Sequence, residues 1–154
     1  MSIKKDAQTA HANLLEKTDP EALEIINHFA FDEVQADVDL PDRTKMLSTL
    51  AYLLGMQGVD EYKVMLPVAL DNGVSPVEAK EVLYQAVDYL GLGRVFPFFN
   101  ATNDVLRARG VEMPLPSQSI TTMDNRFEKG EETQIRLFGP QMKDFAKKGT
   151  STSG

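Results

Sequence analysis

Between Asp71 and Glu78 the sequence reads DNGVSPVE. Asn72-Gly73 is a helix stop, because glycine enters the left-handed region without steric cost. Two residues later, Ser75-Pro76-Val77-Glu78 is a helix start. Serine at the cap, proline at the first helical position and glutamate at the third make a capping box. A stop and a start this close commit the surrounding chain to helix pairs as its repeating unit.

The rest of the chain agrees. Residues 4–17 form a candidate helix. Asp19-Pro20-Glu21 is a second start signal, followed by Leu23, Ile26, Phe29 and Ala30 at helical spacing and an end near Asp37. Leu40-Pro41-Asp42 opens another helix, with Leu47, Leu50, Ala51 and Leu54 as its buried stripe and Gly55 or Gly58 as its end. A further helix runs from Asp60 to Leu70. After the capping box, Val82, Leu83, Ala86, Val87 and Leu90 share a face, and Gly91 and Gly93 break the helix. Pro97 is read as the start of the next helix, which Gly110 stops. Residues 111–123 contain two prolines and no period, so they read as a linker. Asp124 is expected to cap a helix carrying Phe127, Ile135 and Phe138, ended by Gly139-Pro140. A short segment with Met142 and Phe145 follows. No strand is convincing. The expected fold is all-α, a bundle of six to seven helices. Residues 1–110 form its core domain, 111–123 a linker, 124–148 a C-terminal helical segment and 149–154 a disordered tail.

A chain of 154 residues fits one domain with a real core. The formal net charge of -7 argues against a nucleic-acid partner, which needs clustered Lys and Arg. No apolar run approaches the ~20 residues of a membrane span. The N-terminal stretch has basic residues but no apolar region after them, so it does not read as a secretory signal, and a cytoplasmic location is expected. The absence of cysteine excludes thiol nucleophiles, disulfide exchange and thiolate metal sites. With only His11 and His28, no metal site is expected within one chain. Gly91-Leu-Gly93 is too short for a dinucleotide fingerprint, and no cofactor is expected.

Residues 40–110 resemble the carboxymuconolactone decarboxylase-like family, which includes the alkylhydroperoxidase-D type. The resemblance rests on ALDNGVSPVEAKEVL at 69–83, followed by Tyr89-Leu90-Gly91 and an aromatic helix. A second likeness lies at 125–139. NRFEKGEETQIRLFG is similar to an R-x-x-x-G…FG helix that precedes the core in many members, whereas here it follows the core. That order looks permuted, or like a truncated second repeat, and the helix must find a groove on its own domain or on a neighbouring subunit. The resemblance implies an all-α fold assembled as a trimer or hexamer, with sites near subunit contacts.

The resemblance also gives a register for the site. In the redox branch a C-x-x-C-x-x-x-H stretch precedes the A-x-x-x-G turn. Ala69 and Gly73 then place the histidine position at Met65 and the two cysteine positions at Gly58 and Glu61. All three reactive groups are missing, and thiolate peroxidase chemistry is excluded. The decarboxylase branch carries Glu-x-x-x-His here. Glu61 keeps the acid and Met65 replaces the histidine. Spacing of i, i+4 puts both on one helix face, where they can meet one ligand. Decarboxylation of a lactone acid needs a proton donor and a group to hold the carboxylate. Glu61 is the candidate acid, whereas a thioether carries no proton.

Other residues are read against plainer roles. His28 lies among apolar neighbours in IINHFAFDEV and reads as a structural, hydrogen-bonded histidine rather than a catalytic one. His11 is expected on an exposed N-terminal helix. Pro67 has two readings. Either it interrupts a helix begun at Asp60 and frees the Lys63 carbonyl, or the helix starts later and Pro67 lies in its first turn. Glu78 belongs to the capping box, and Glu81 suits a helix start. Tyr84, Tyr89, Phe96, Phe98 and Phe99 read chiefly as core or interface. Arg94 and Arg43 are candidates to hold a substrate carboxylate. Met65, Arg94, Arg43, Tyr89 and Phe96 are thus the candidate substrate-binding set. Two functions are open. One is cofactor-free decarboxylation or binding of a small carboxylated or lactone-like metabolite. The other is a catalytically silent oligomeric binding or interaction module.

Overall fold

The computed structural model describes residues 2–143, and every regular element among them is a helix. There are seven. Helix α1 is Ile3–Leu15. Helix α2 starts as Pro20–Ile26, passes through a π-helical stretch, Asn27–Val34, and closes as Gln35–Asp37. Then come α3 (Asp42–Gly55), α4 (Val59–Asp71), α5 (Pro76–Leu90) and α6 (Leu92–Ala108). Helix α7 is Arg126–Phe138. The chain divides into two compact units after Leu115. The first holds α1 to α6 and the second holds α7. Residues 111–121 carry neither helix nor strand. The expected tail at 149–154 and the segment around Phe145 lie outside the described residues.

The α4–α5 connection has the geometry its sequence dictates. The Asn72 N–H donates to the carbonyls of Val68 and Ala69 at 3.1 Å each, and the Val74 N–H reaches back to Ala69 at 3.0 Å. Gly73 makes this possible at φ +96°, a conformation that costs a side-chain-bearing residue about 1–2 kcal/mol. The capping box is complete. The Glu78 N–H donates to Ser75 Oγ at 3.2 Å, and the Ser75 N–H donates to Glu78 Oε2 at 2.9 Å.

Helices α3 to α6 pack as a four-helix cluster, α3 against α4 and α5, and α6 against α4 and α5. Leu50, Leu54, Leu66, Leu83 and Phe98 are among its fully buried apolar side chains. Tyr62 joins α4 to α6. Its ring meets Phe98 edge-on at 5.1 Å, and its hydroxyl lies 2.9 Å from Thr102 Oγ1. Both hydroxyls are buried and paired, as buried polar groups must be.

Helix α1 lies on α4 through Ile3 and Ala7, both buried. Asn72 fastens it from the turn, since its side-chain amide donates to Asp6 Oδ2 and to the Val68 carbonyl, both at 2.9 Å.

Two expectations about helix ends are corrected, and one open alternative is decided. Helix α6 begins at Leu92, five residues before Pro97, because Gly91 at φ +80° reverses the chain and the helix restarts at once. Gly93 therefore lies inside α6, and Pro97 removes only the bond to Gly93 in the first turns. Helix α7 starts after Asn125 rather than Asp124. Pro67 sits well inside α4, so of its two readings the interrupted helix is the one observed.

Candidate functional site

Glu61 stands on the first turn of α4, and Met65 follows one turn later on the same face. Both line a hollow of about 380 Å³. Its walls come from three further helices: His11 of α1, Ala30, Phe31 and Val34 of α2, and Lys45, Met46 and Leu53 of α3. The lining is chiefly apolar, and the size lies at the small end of ligand sites. The π-helical stretch of α2 supplies Ala30, Phe31 and Val34. Such widened turns recur where a helix presents side chains to a functional site.

The polar centre of this hollow is a pair. His11 Nε2 lies 2.6 Å from Glu61 Oε1. The His11 residue is only 7% exposed, whereas the Glu61 side chain is 43% exposed. One group of the pair is thus sequestered and the other reaches solvent. The hydrogen bond to Glu61 raises the His11 pKa above 6.5. Burial opposes the rise, and the Glu61 charge and the Ala7 carbonyl one turn back reinforce it. No hydrogen bond of good geometry reaches His11 Nδ1, although it is buried.

Periodicity explains why His11 is there. Ile3, Ala7 and His11 follow one another at i, i+4, i+8 and form the buried face of α1. The expectation that His11 is exposed is therefore corrected. That three-residue stripe was the signal in the sequence. His28 is corrected in the opposite sense. It is solvent-exposed on the π-helical stretch, with Nδ1 2.9 Å from Glu33 Oε1.

The other candidates lie elsewhere. Arg43 and Tyr89 share a second hollow, about 550 Å³, between α3 and α5. There Arg43 forms an ion pair with Glu78, which also serves the capping box. Tyr89 stands at its edge, 85% exposed. Arg94 and Phe96 are exposed on the first turns of α6 and line neither hollow. The structure thus brings together Glu61 with Met65, and Arg43 with Tyr89, as two separate pairs. Lys45, which sequence reasoning passed over, joins the first. Among the described residues no group of three or more His, Asp or Glu side chains is placed to hold a metal ion. No helix among them is long and apolar enough to cross a membrane.

The sequence profile of the carboxymuconolactone decarboxylase family matches residues 20–104. A 4-carboxymuconolactone decarboxylase from Acinetobacter baylyi is 31% identical over 86 residues, 56% of this chain. Those residues cover 64% of that relative's length.

Proposed function

The chain belongs to the carboxymuconolactone decarboxylase family, and from that premise we propose that it decarboxylates a small lactone acid at the His11–Glu61 pair, without a cofactor. The observation that carries this reading is the 2.6 Å contact between His11 and Glu61 in the wall of an apolar hollow. In this reading the imidazole that the family pattern sets on α4, where Met65 now stands, is supplied by α1. The name of the Acinetobacter relative supports the reaction class.

The step balances simply. The bond from ring carbon to carboxylate breaks, and its electron pair passes into the conjugated lactone as CO₂ departs. A proton from the His11 imidazolium is then delivered to carbon, so CO₂ is replaced by H⁺. Glu61 raises the His11 pKa and so keeps the donor charged toward neutral pH. Because Glu61 is partly exposed, it connects the pair to water and allows His11 to be reprotonated.

The test is release of CO₂ from 4-carboxymuconolactone by the purified protein. His11→Asn is expected to lower kcat by about 10²–10⁴-fold, the usual contribution of a positioned acid, and Glu61→Gln to shift the alkaline limb of the pH profile downward. Equal turnover by wild type and His11→Asn would remove the pair from the chemistry.

A second reading keeps the fold and drops the reaction. The Met65 side chain is almost wholly buried and cannot transfer a proton, which favours a silent binding module. Binding without CO₂ release by the wild type would select it. Under either reading we place the chain in a homo-oligomer, a trimer or hexamer. Exposed Ile25 and Phe29 on α2, and Tyr89, Leu92 and Phe96 around the α5–α6 turn, support assembly.

A further inference from the structure

The hollow at Glu61 has a charged residue whose role the catalytic pair does not explain. Among the described residues, Lys45 of α3 is the one Lys or Arg in its lining. It is half-buried, and no carboxylate pairs with it among the described residues. Among those residues its Nζ reaches only the Gln35 carbonyl, at a long 3.3 Å. An ammonium carries three donors, so this leaves bonding capacity for an anion. Gln35 belongs to the closing turn of α2, so the carbonyl that Lys45 meets is itself part of the hollow's wall. The lining is chiefly apolar, with Phe31, Val38, Leu40 and Leu53 among its members, and Ser48 and Thr49 lie on the same helix as Lys45.

We infer that Lys45 is the carboxylate anchor of this hollow, selecting small unsaturated carboxylates whose apolar body lies against Phe31 and Leu53. The inference rests on the hollow being the ligand site proposed above, and it replaces Arg43 and Arg94 in that role. Arg43 is engaged by Glu78 in the other hollow, and Arg94 lines neither. A carboxylate held by Lys45 in this wall gains a charge-assisted hydrogen bond in a partly sheltered place. A neutral isostere of the same shape lacks that bond.

The experiment compares sorbate with its neutral amide, by calorimetry on the full chain, in wild type, Lys45→Met and Lys45→Arg. Wild type is expected to prefer the acid by about tenfold or more, with the preference falling as salt rises. Lys45→Met is expected to bind the amide as wild type does and to lose the preference. Lys45→Arg is expected to keep it, because the guanidinium also bonds carboxylates. An acid preference that survives in Lys45→Met overturns the inference, as does a wild type that binds acid and amide alike or binds neither. Binding requires no turnover. A wild type that prefers sorbate through Lys45 but releases no CO₂ from 4-carboxymuconolactone would leave the anchor in place and dismiss the reaction.

Discussion

At the scale of single residues, His11 carries a pH signature. Its pKa is raised in the folded chain, chiefly by the hydrogen bond to Glu61. The folded state therefore holds the proton more tightly than the unfolded state does. The resulting stabilisation is fully present below pH 6.5 and is lost as pH rises through the raised folded value. The gap in Tm between wild type and His11→Asn should be largest in mildly acidic buffer and should close at alkaline pH. A gap that widens with pH would mean the imidazole is buried neutral. Residues of this kind were only half legible in the sequence. The family register led to Glu61 and Met65, and both line one hollow. His11 and Lys45 come from α1 and α3, and no local pattern says which distant helix will cross α4 at its first turn. Arg43 shows the converse. It looked free to bind a carboxylate, but Glu78, 35 residues away, takes it.

At the scale of helices, starts and stops with a backbone mechanism were readable. The capping box and the DNG turn needed only Ser, Pro, Glu and Gly at fixed offsets, and both are present in the structure. Pro97 misled for a related reason: proline marks a helix start only when nothing upstream supplies one, and here Gly91 does. The π-helical widening of α2 was not legible. Local propensity does not encode such a stretch. Pro67 offers a test at this level. It leaves the Lys63 carbonyl without its intrahelical donor, in the middle of α4. Pro67→Ala should restore that bond and stabilise the chain by about 1–3 kcal/mol, after allowing for the extra freedom of the unfolded alanine. Urea unfolding should show a higher midpoint with an unchanged slope. A lower midpoint would mean that α4 is shaped by its neighbours to need the interruption.

At the scale of the whole molecule, the helical bundle followed from periodicity, whereas its surface did not. Apolar residues stand exposed on α2, around the α5–α6 turn and along α7, where Phe127, Leu137 and Phe138 are all uncovered. Exposed patches of this kind usually mark contact surfaces. Sedimentation equilibrium is expected to give three or six times the 17.1 kDa chain mass, and Phe29→Lys or Phe96→Lys is expected to lower it. A monomer at micromolar concentration would leave those side chains without a purpose.

The position of the imidazole also has a practical edge. His11 stands nine residues ahead of Pro20, where the family profile begins to match. A gene shortened to the stretch shared with relatives would still encode Glu61, Lys45 and most of the bundle. It would lack His11 itself, so silence from that shortened chain would say nothing about the proposed pair.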